Sequence, residues 1–150
     1  MKKGNRIVIL LITTIMTVSG LILTACTNDE ADAKLLENSK TLIVIEANAT
    51  GGSMKDAMAK FKEAGNLDYE GETGEFGFYL TSVNGYTPDA AKHEFWAVYT
   101  TLGEYEGVVY SNVDYGTYEY NGKTLASAAY GISGLPLIAG NLYILTISTY

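Results

Sequence analysis

The sequence is poor in the residues that most enzyme chemistry needs. It has one cysteine, Cys26, and one histidine, His93, among 150 residues. A single thiol excludes an intrachain disulfide, so the folded domain rests on its core alone. A single imidazole leaves no His/Cys cluster at zinc spacing. His93 lies between Lys92 and Glu94 in a polar stretch, where a lone histidine is ordinarily solvated. There is no glycine-rich phosphate loop. Gly131-Ile132-Ser133-Gly134-Leu135 approaches the G-x-S-x-G pattern of hydrolases, but Leu135 stands where the last glycine belongs and no strand-to-helix elbow follows. These absences point to a protein that is not an enzyme, with no catalytic residues, no required cofactor and no metal site. Positive charge is scarce as well, with 10 basic residues against 17 acidic ones. That balance argues against nucleic acid and against anionic lipid headgroups as partners.

What is present begins with an address. Lys2, Lys3 and Arg6 form a basic start, residues 7–25 carry no charge, and Leu23-Thr24-Ala25-Cys26 closes the run on the sole cysteine. This resembles the signal peptide and lipobox of a bacterial lipoprotein, in which the small residue before cysteine admits the peptidase and the thiol receives a diacylglyceryl group. The alternative is an uncleaved transmembrane anchor, since the run is nearly long enough to span a bilayer. Either reading sets the rest of the chain outside the cytoplasmic membrane, and the first makes it a lipid-anchored protein of the cell membrane. The expected organisation is a signal peptide over 1–25, a lipidated tether over 26–40 and one domain over 41–150. Loss of the leader removes three basic residues and no acid, leaving 7 basic against 17 acidic and a net charge of −10.

Residues 41–47 are apolar at both alternating sets of positions, which predicts a strand central in a sheet. Residues 53–64 predict a helix. Ser53 with Asp56 makes an acidic capping box, Met54, Ala57, Met58 and Phe61 fall on one stripe, and Gly65 ends it. The acidic, glycine-rich residues 67–75 lack calcium-loop spacing and predict a solvated loop. Residues 77–83 and 95–99 alternate with the period of strands, joined by a loop holding Asn84-Gly85 and Pro88. They carry Tyr79, Ser82, Trp96 and Tyr99. Further strands are expected at 108–110 and 118–120, with 112–116 between them, and at 142–147. One helix for one sheet is α+β, with the helix on one face and the other face open or partly covered by the Tyr-rich segment.

The strands at 77–83 and 95–99, with Gly131-Ile132-Ser133-Gly134-Leu135-Pro136-Leu137, Gly140 and the last strand, are similar to bacterial lipoprotein domains of the DUF4430 group. They are also similar to the C-terminal domain of transcobalamin and intrinsic factor. The resemblance covers residues 41–150. It implies a β-grasp-like mixed sheet with one main helix on one face. It further implies ligand contacts at Tyr79, Ser82, Trp96, Gly131, Ile132 and Leu135, with cobalamin or another corrinoid as the candidate ligand. The chain departs from the family at Thr100-Thr101, at Asn141 and over an insertion at 103–123, and it lacks the helical barrel that forms the other half of the carriers' site.

Two readings of function follow. In the first, the domain is a non-catalytic, membrane-anchored binder of a small molecule that it supplies to a transporter. In the second, it is a cell-surface interaction module using the Tyr-rich segment 105–120. Ile132 and Leu135 are expected on an open glycine-bounded loop, where flat apolar ligands are met.

Overall fold

The computed structural model describes residues 32–150. Cys26, the leader and the start of the tether lie outside the described residues. Ten strands and one α-helix follow: β1 (Ala33–Asn38), β2 (Leu42–Ala47), α1 (Met54–Glu63), β3 (Tyr69–Gly74), β4 (Gly77–Val83), β5 (Glu94–Thr100), β6 (Glu104–Tyr105), β7 (Val108–Val109), β8 (Ser111–Tyr120), β9 (Lys123–Ala128) and β10 (Leu142–Thr149). The main sheet has six strands in the order β1-β2-β10-β5-β9-β8, and β3-β4 and β6-β7 form two small hairpins. The architecture is α+β.

The apolar double alternation of β2 has its expected consequence. Ile43 and Ile45 point to one face and join the core with Met54, Ala57, Met58, Tyr143 and Leu145. Val44 points to the other and packs with Leu125, Leu142 and Ile144. The helix covers the first face. Its N-cap is Ser53 in a full capping box with Asp56, and Gly65 follows it at φ +74°. Phe61 is half-buried at the margin of this core.

The second face is covered by the β8-β9 hairpin. Residues 113–116 bulge out of the β8-β9 ladder between the Asn112↔Ser127 and Thr117↔Ala126 pairs. Beyond the bulge the hairpin folds over the sheet, so that Leu125, Tyr118 and Tyr120 cover Val44 and Ile144. Tyr118 meets Tyr99 with ring centroids 5.5 Å apart. At the tip, burial and then the neighbouring Glu37 of β1 raise the pKa of the Tyr120 hydroxyl. The far end of the Tyr-rich segment thus covers part of the second face through Tyr118 and Tyr120, while Tyr105 and Tyr110 pack against the first and Tyr115 stays exposed.

Several expectations are corrected. The sheet is not mixed: every strand pair among the described residues runs antiparallel. The tether reading fails over 33–38, because β1 pairs with β2 and buries Ala33 while its polar residues face water on an edge strand. The acidic loop is largely β3, whose glutamates point outward while Tyr69 packs edge-on against Phe78, 5.9 Å between centroids. The expected hairpin across 112–116 is instead two hairpins, one of them turning at Asn121-Gly122, where both residues have positive φ.

The loop at 131–138 departs furthest from expectation. Ile132 and Leu135 are 2% and 0% exposed. The Met54 N–H donates to the Leu135 carbonyl at 2.9 Å and the Lys55 N–H to the Ile132 carbonyl at 3.0 Å. These are first-turn amides, which a helix cannot satisfy internally. The loop is therefore a clamp on the helix N-terminus, with its aliphatics driven into the core. Tyr143 holds it from beneath: its hydroxyl donates to the Pro136 carbonyl and accepts from the Ile138 N–H, both at 2.8 Å.

Candidate functional site

The small β3-β4 hairpin lies beside the main sheet without sharing its ladder, and a cleft of about 120 Å³ separates β4 from β5. Tyr79 and Leu80 of β4, Phe95, Trp96 and Val98 of β5, and Ile132 from the clamp loop line it, with Phe78. Strand alternation sets Trp96 and Val98 on the helix-side face, opposite Ile147 and Leu145 of β10. Tyr79 is 69% exposed and forms the rim.

Three of the six expected ligand contacts therefore converge: Tyr79, Trp96 and Ile132. The other three do not line the cleft. Ser82 sits further along β4, opposite Glu70. Gly131 is exposed beside β4, where an added Cβ would stand 3.7 Å from the Phe78 carbonyl. Leu135 is removed from any open site by its burial in the core. Periodicity did not reveal this, because a loop has no period and its aliphatics read the same whether exposed or clamped.

Phe78, Leu80, Phe95 and Val98 were not singled out as contacts. Their signal was available in the alternation of β4 and β5, but which face of β5 meets β4 depends on where the hairpin lands.

Tyr86 packs against Trp96 nearly perpendicular, 6.1 Å between centroids. Its hydroxyl donates to the Glu94 carboxylate at 2.7 Å, which also accepts from the Asp89 N–H at 3.0 Å. These bonds, the Asp89 amide first, hold the Glu94 carboxyl below the usual carboxylate range. They fix the entry to β5 and leave Glu94 committed as an acceptor. The indole Nε1 of Trp96 is buried and has no hydrogen-bond partner among the described residues. His93 ends a short 3₁₀ turn in the left-handed conformation, and its ring lies 5.0 Å from that of Tyr150. The Ser133 hydroxyl accepts from the Phe78 N–H.

A second, wider groove of about 430 Å³ runs along β5, bounded by Phe95, Trp96 and Tyr99 and by Tyr115, Tyr130 and Tyr150 from neighbouring segments. Tyr115 and Tyr150 are 72% and 85% exposed. Among the described residues no group of three or more His, Cys, Asp or Glu could hold a metal ion, and no helix is long and apolar enough to cross a membrane. No family model matches the chain, and no curated protein matches it.

Proposed function

We propose that this is a non-catalytic binding domain, carried outside the cytoplasmic membrane on the lipid of Cys26, that engages a macromolecular partner through the aromatic surface around β4 and β5. The observation that carries the reading is the pairing of a small cleft with a large exposed aromatic rim. Small-molecule sites usually enclose about 300–1,000 Å³, and the cleft holds only about 120 Å³. The groove of about 430 Å³ that shares Phe95, Trp96 and Val98 with it reaches that range but is bounded by exposed tyrosines. Tyr79 stands exposed on the cleft, and Tyr115, Tyr130 and Tyr150 stand exposed on the groove, the residue type favoured where one end must pack and the other stay wet.

A second reading keeps the flat small ligand. Its support is the convergence of Tyr79, Trp96 and Ile132 on one cleft, in line with the likeness to the cobalamin carriers and their β-grasp-like domain. A corrinoid would then lie over the rim, with a partner covering its far face.

A photo-crosslinking residue at position 79 separates the two on intact cells, with position 63 on the exposed end of α1 as control. Covalent adducts of protein mass from position 79 only are the expected result. No protein adduct, with heat and a spectral change on titrating cobalamin or cobinamide, would replace the first reading by the second. Cys26→Ala tests the anchor: it should leave an unprocessed precursor, while the unaltered protein in the membrane fraction carries the acyl mass.

A further inference from the structure

The strand order leaves one edge of the main sheet incomplete in its middle. β5 pairs with β10 over its whole length, from Glu94↔Thr149 to Thr100↔Tyr143. On its other side it pairs with β9 only at Tyr99↔Ser127 and Thr100↔Ala126. The direction of the backbone groups follows from two bonds. Thr101 N–H donates to Leu142 O, toward β10, while Glu94 N–H donates to Asp89 O, outside that ladder. Backbone groups of a strand alternate in direction, so residues 94, 96 and 98 turn theirs away from β10. The N–H and C=O of Trp96 therefore face the open side, at the centre of the unpaired stretch. That stretch forms the floor of the groove along β5, flanked by Phe95, Tyr115, Tyr130 and Tyr150. The buried, partnerless indole N–H belongs to the same residue, Trp96, which lines both the cleft and the groove.

We propose that the open edge of β5 is a strand-addition site, and that its occupant is an extended peptide segment of another protein, apolar at alternate positions with neutral or basic flanks. This rests on the interaction-surface reading and names its mode. Main-chain hydrogen bonds to Trp96 supply register and affinity, and alternate side chains fall on the cleft side, against Tyr79 and Trp96, and on the side of Phe95 and Tyr115. Three observations select this occupant. The edge has no strand partner between Glu94, whose N–H is taken by Asp89, and Tyr99, where β9 joins, at most about 17 Å of strand at the usual rise, which suits one short segment. A second copy is a poor fit: antiparallel pairing of two β5 strands centred on Trp96 sets residue 92 opposite residue 100, and so drives the turn at Ala90–Lys92 into β9. The groove is lined by no charged side chain, in a chain of net charge −7, so basic flanks are attracted and acidic ones repelled.

The test selects binders from a linear peptide display library on the full chain in detergent, then synthesises the best binder with N-methyl groups on either of its two alternate sets of amides. Strand addition requires that one set weaken binding about tenfold or more, the worth of roughly one main-chain hydrogen bond, while the other set has little effect. The Trp96 amide should also gain protection from hydrogen exchange when the peptide is added. Equal effects of the two sets, an unprotected Trp96 amide, or no enriched peptide would overturn the proposal. So would Trp96 protection that rises with protein concentration without peptide, which would make the occupant a second copy. If any of these occurs while position 79 still crosslinks to protein, the interaction surface stands and only strand addition is lost.

Discussion

The Ser133 hydroxyl accepts a hydrogen bond from the Phe78 N–H at 3.0 Å, across 55 residues of sequence. Through it the clamp loop that seats the helix also holds the edge of the β3-β4 hairpin, and so sets the width of the cleft. Gly77 makes the approach possible: a Cβ there would lie 2.6 Å from Ser133 Oγ, and its φ is +100°, a region that β-carbon-bearing residues avoid.

That contact gives a double-mutant cycle. Ser133→Ala should cost about 1 kcal/mol, the net worth of one hydrogen bond. Gly77→Ala should cost more, since it adds a clash to backbone strain. The double variant should be less destabilised than the sum, because removing Oγ relieves the clash. Urea melts of the four proteins measure it, and strict additivity would show that the two residues do not meet.

Leu135→Asp should unfold the domain. Its side chain is fully buried, and a buried unpaired carboxylate costs several kcal/mol against a typical total stability of about 5–15 kcal/mol. Leu135→Ala should lose about 2–5 kcal/mol by leaving a cavity. A soluble Leu135→Asp protein with an unchanged melting temperature would return the loop to the surface.

Tyr143→Phe removes one hydroxyl and strands two groups, the Pro136 carbonyl and the Ile138 N–H. The expected loss is about 1–3 kcal/mol, read from the denaturation midpoint. Burial raises the pKa of this hydroxyl, so its contribution is complete below the ordinary tyrosine range and is lost as pH rises through the raised value. The unaltered protein should therefore show an alkaline loss of stability that is smaller in Tyr143→Phe.

Asp56 gives the opposite sign. Hydrogen bonds from the Ser53 hydroxyl, then from the Ser53 amide, lower its pKa. A depressed carboxyl contributes stability above its unfolded value, and that contribution is lost as pH falls through the folded one. Melting temperature against pH should drop on the acid side below about pH 4, where free aspartate titrates, and Asp56→Asn should flatten that limb. Ser53→Ala should cost about 0.5–2 kcal/mol near neutrality through the lost cap. An acid limb identical in Asp56→Asn would assign it to other carboxyls.

Local chemistry was enough to determine much of this protein. The double alternation of 42–47 required a strand buried on both faces. Ser53, Asp56 and the stripe of Met54, Ala57 and Met58 required a capped helix on one face of a sheet. The alternation around Tyr79 and Trp96 marked the two strands that border the cleft. All of these follow from periods and caps that act within a few residues. The tertiary structure alone decided what depends on partners distant in sequence. It made β1 a strand, because an edge of β2 was free to pair with it. It turned Ile132 and Leu135 inward, because their carbonyls are the acceptors that the first amides of α1 lack. It carried the Tyr-rich hairpin over the second face through a bulge at 113–116, and by pulling β9 away with that hairpin it left the edge of β5 open. Whether an aliphatic on a loop faces water or core, and whether a strand edge is paired or bare, is settled by the long-range contacts that close the sheet, and no local pattern of residues encodes them.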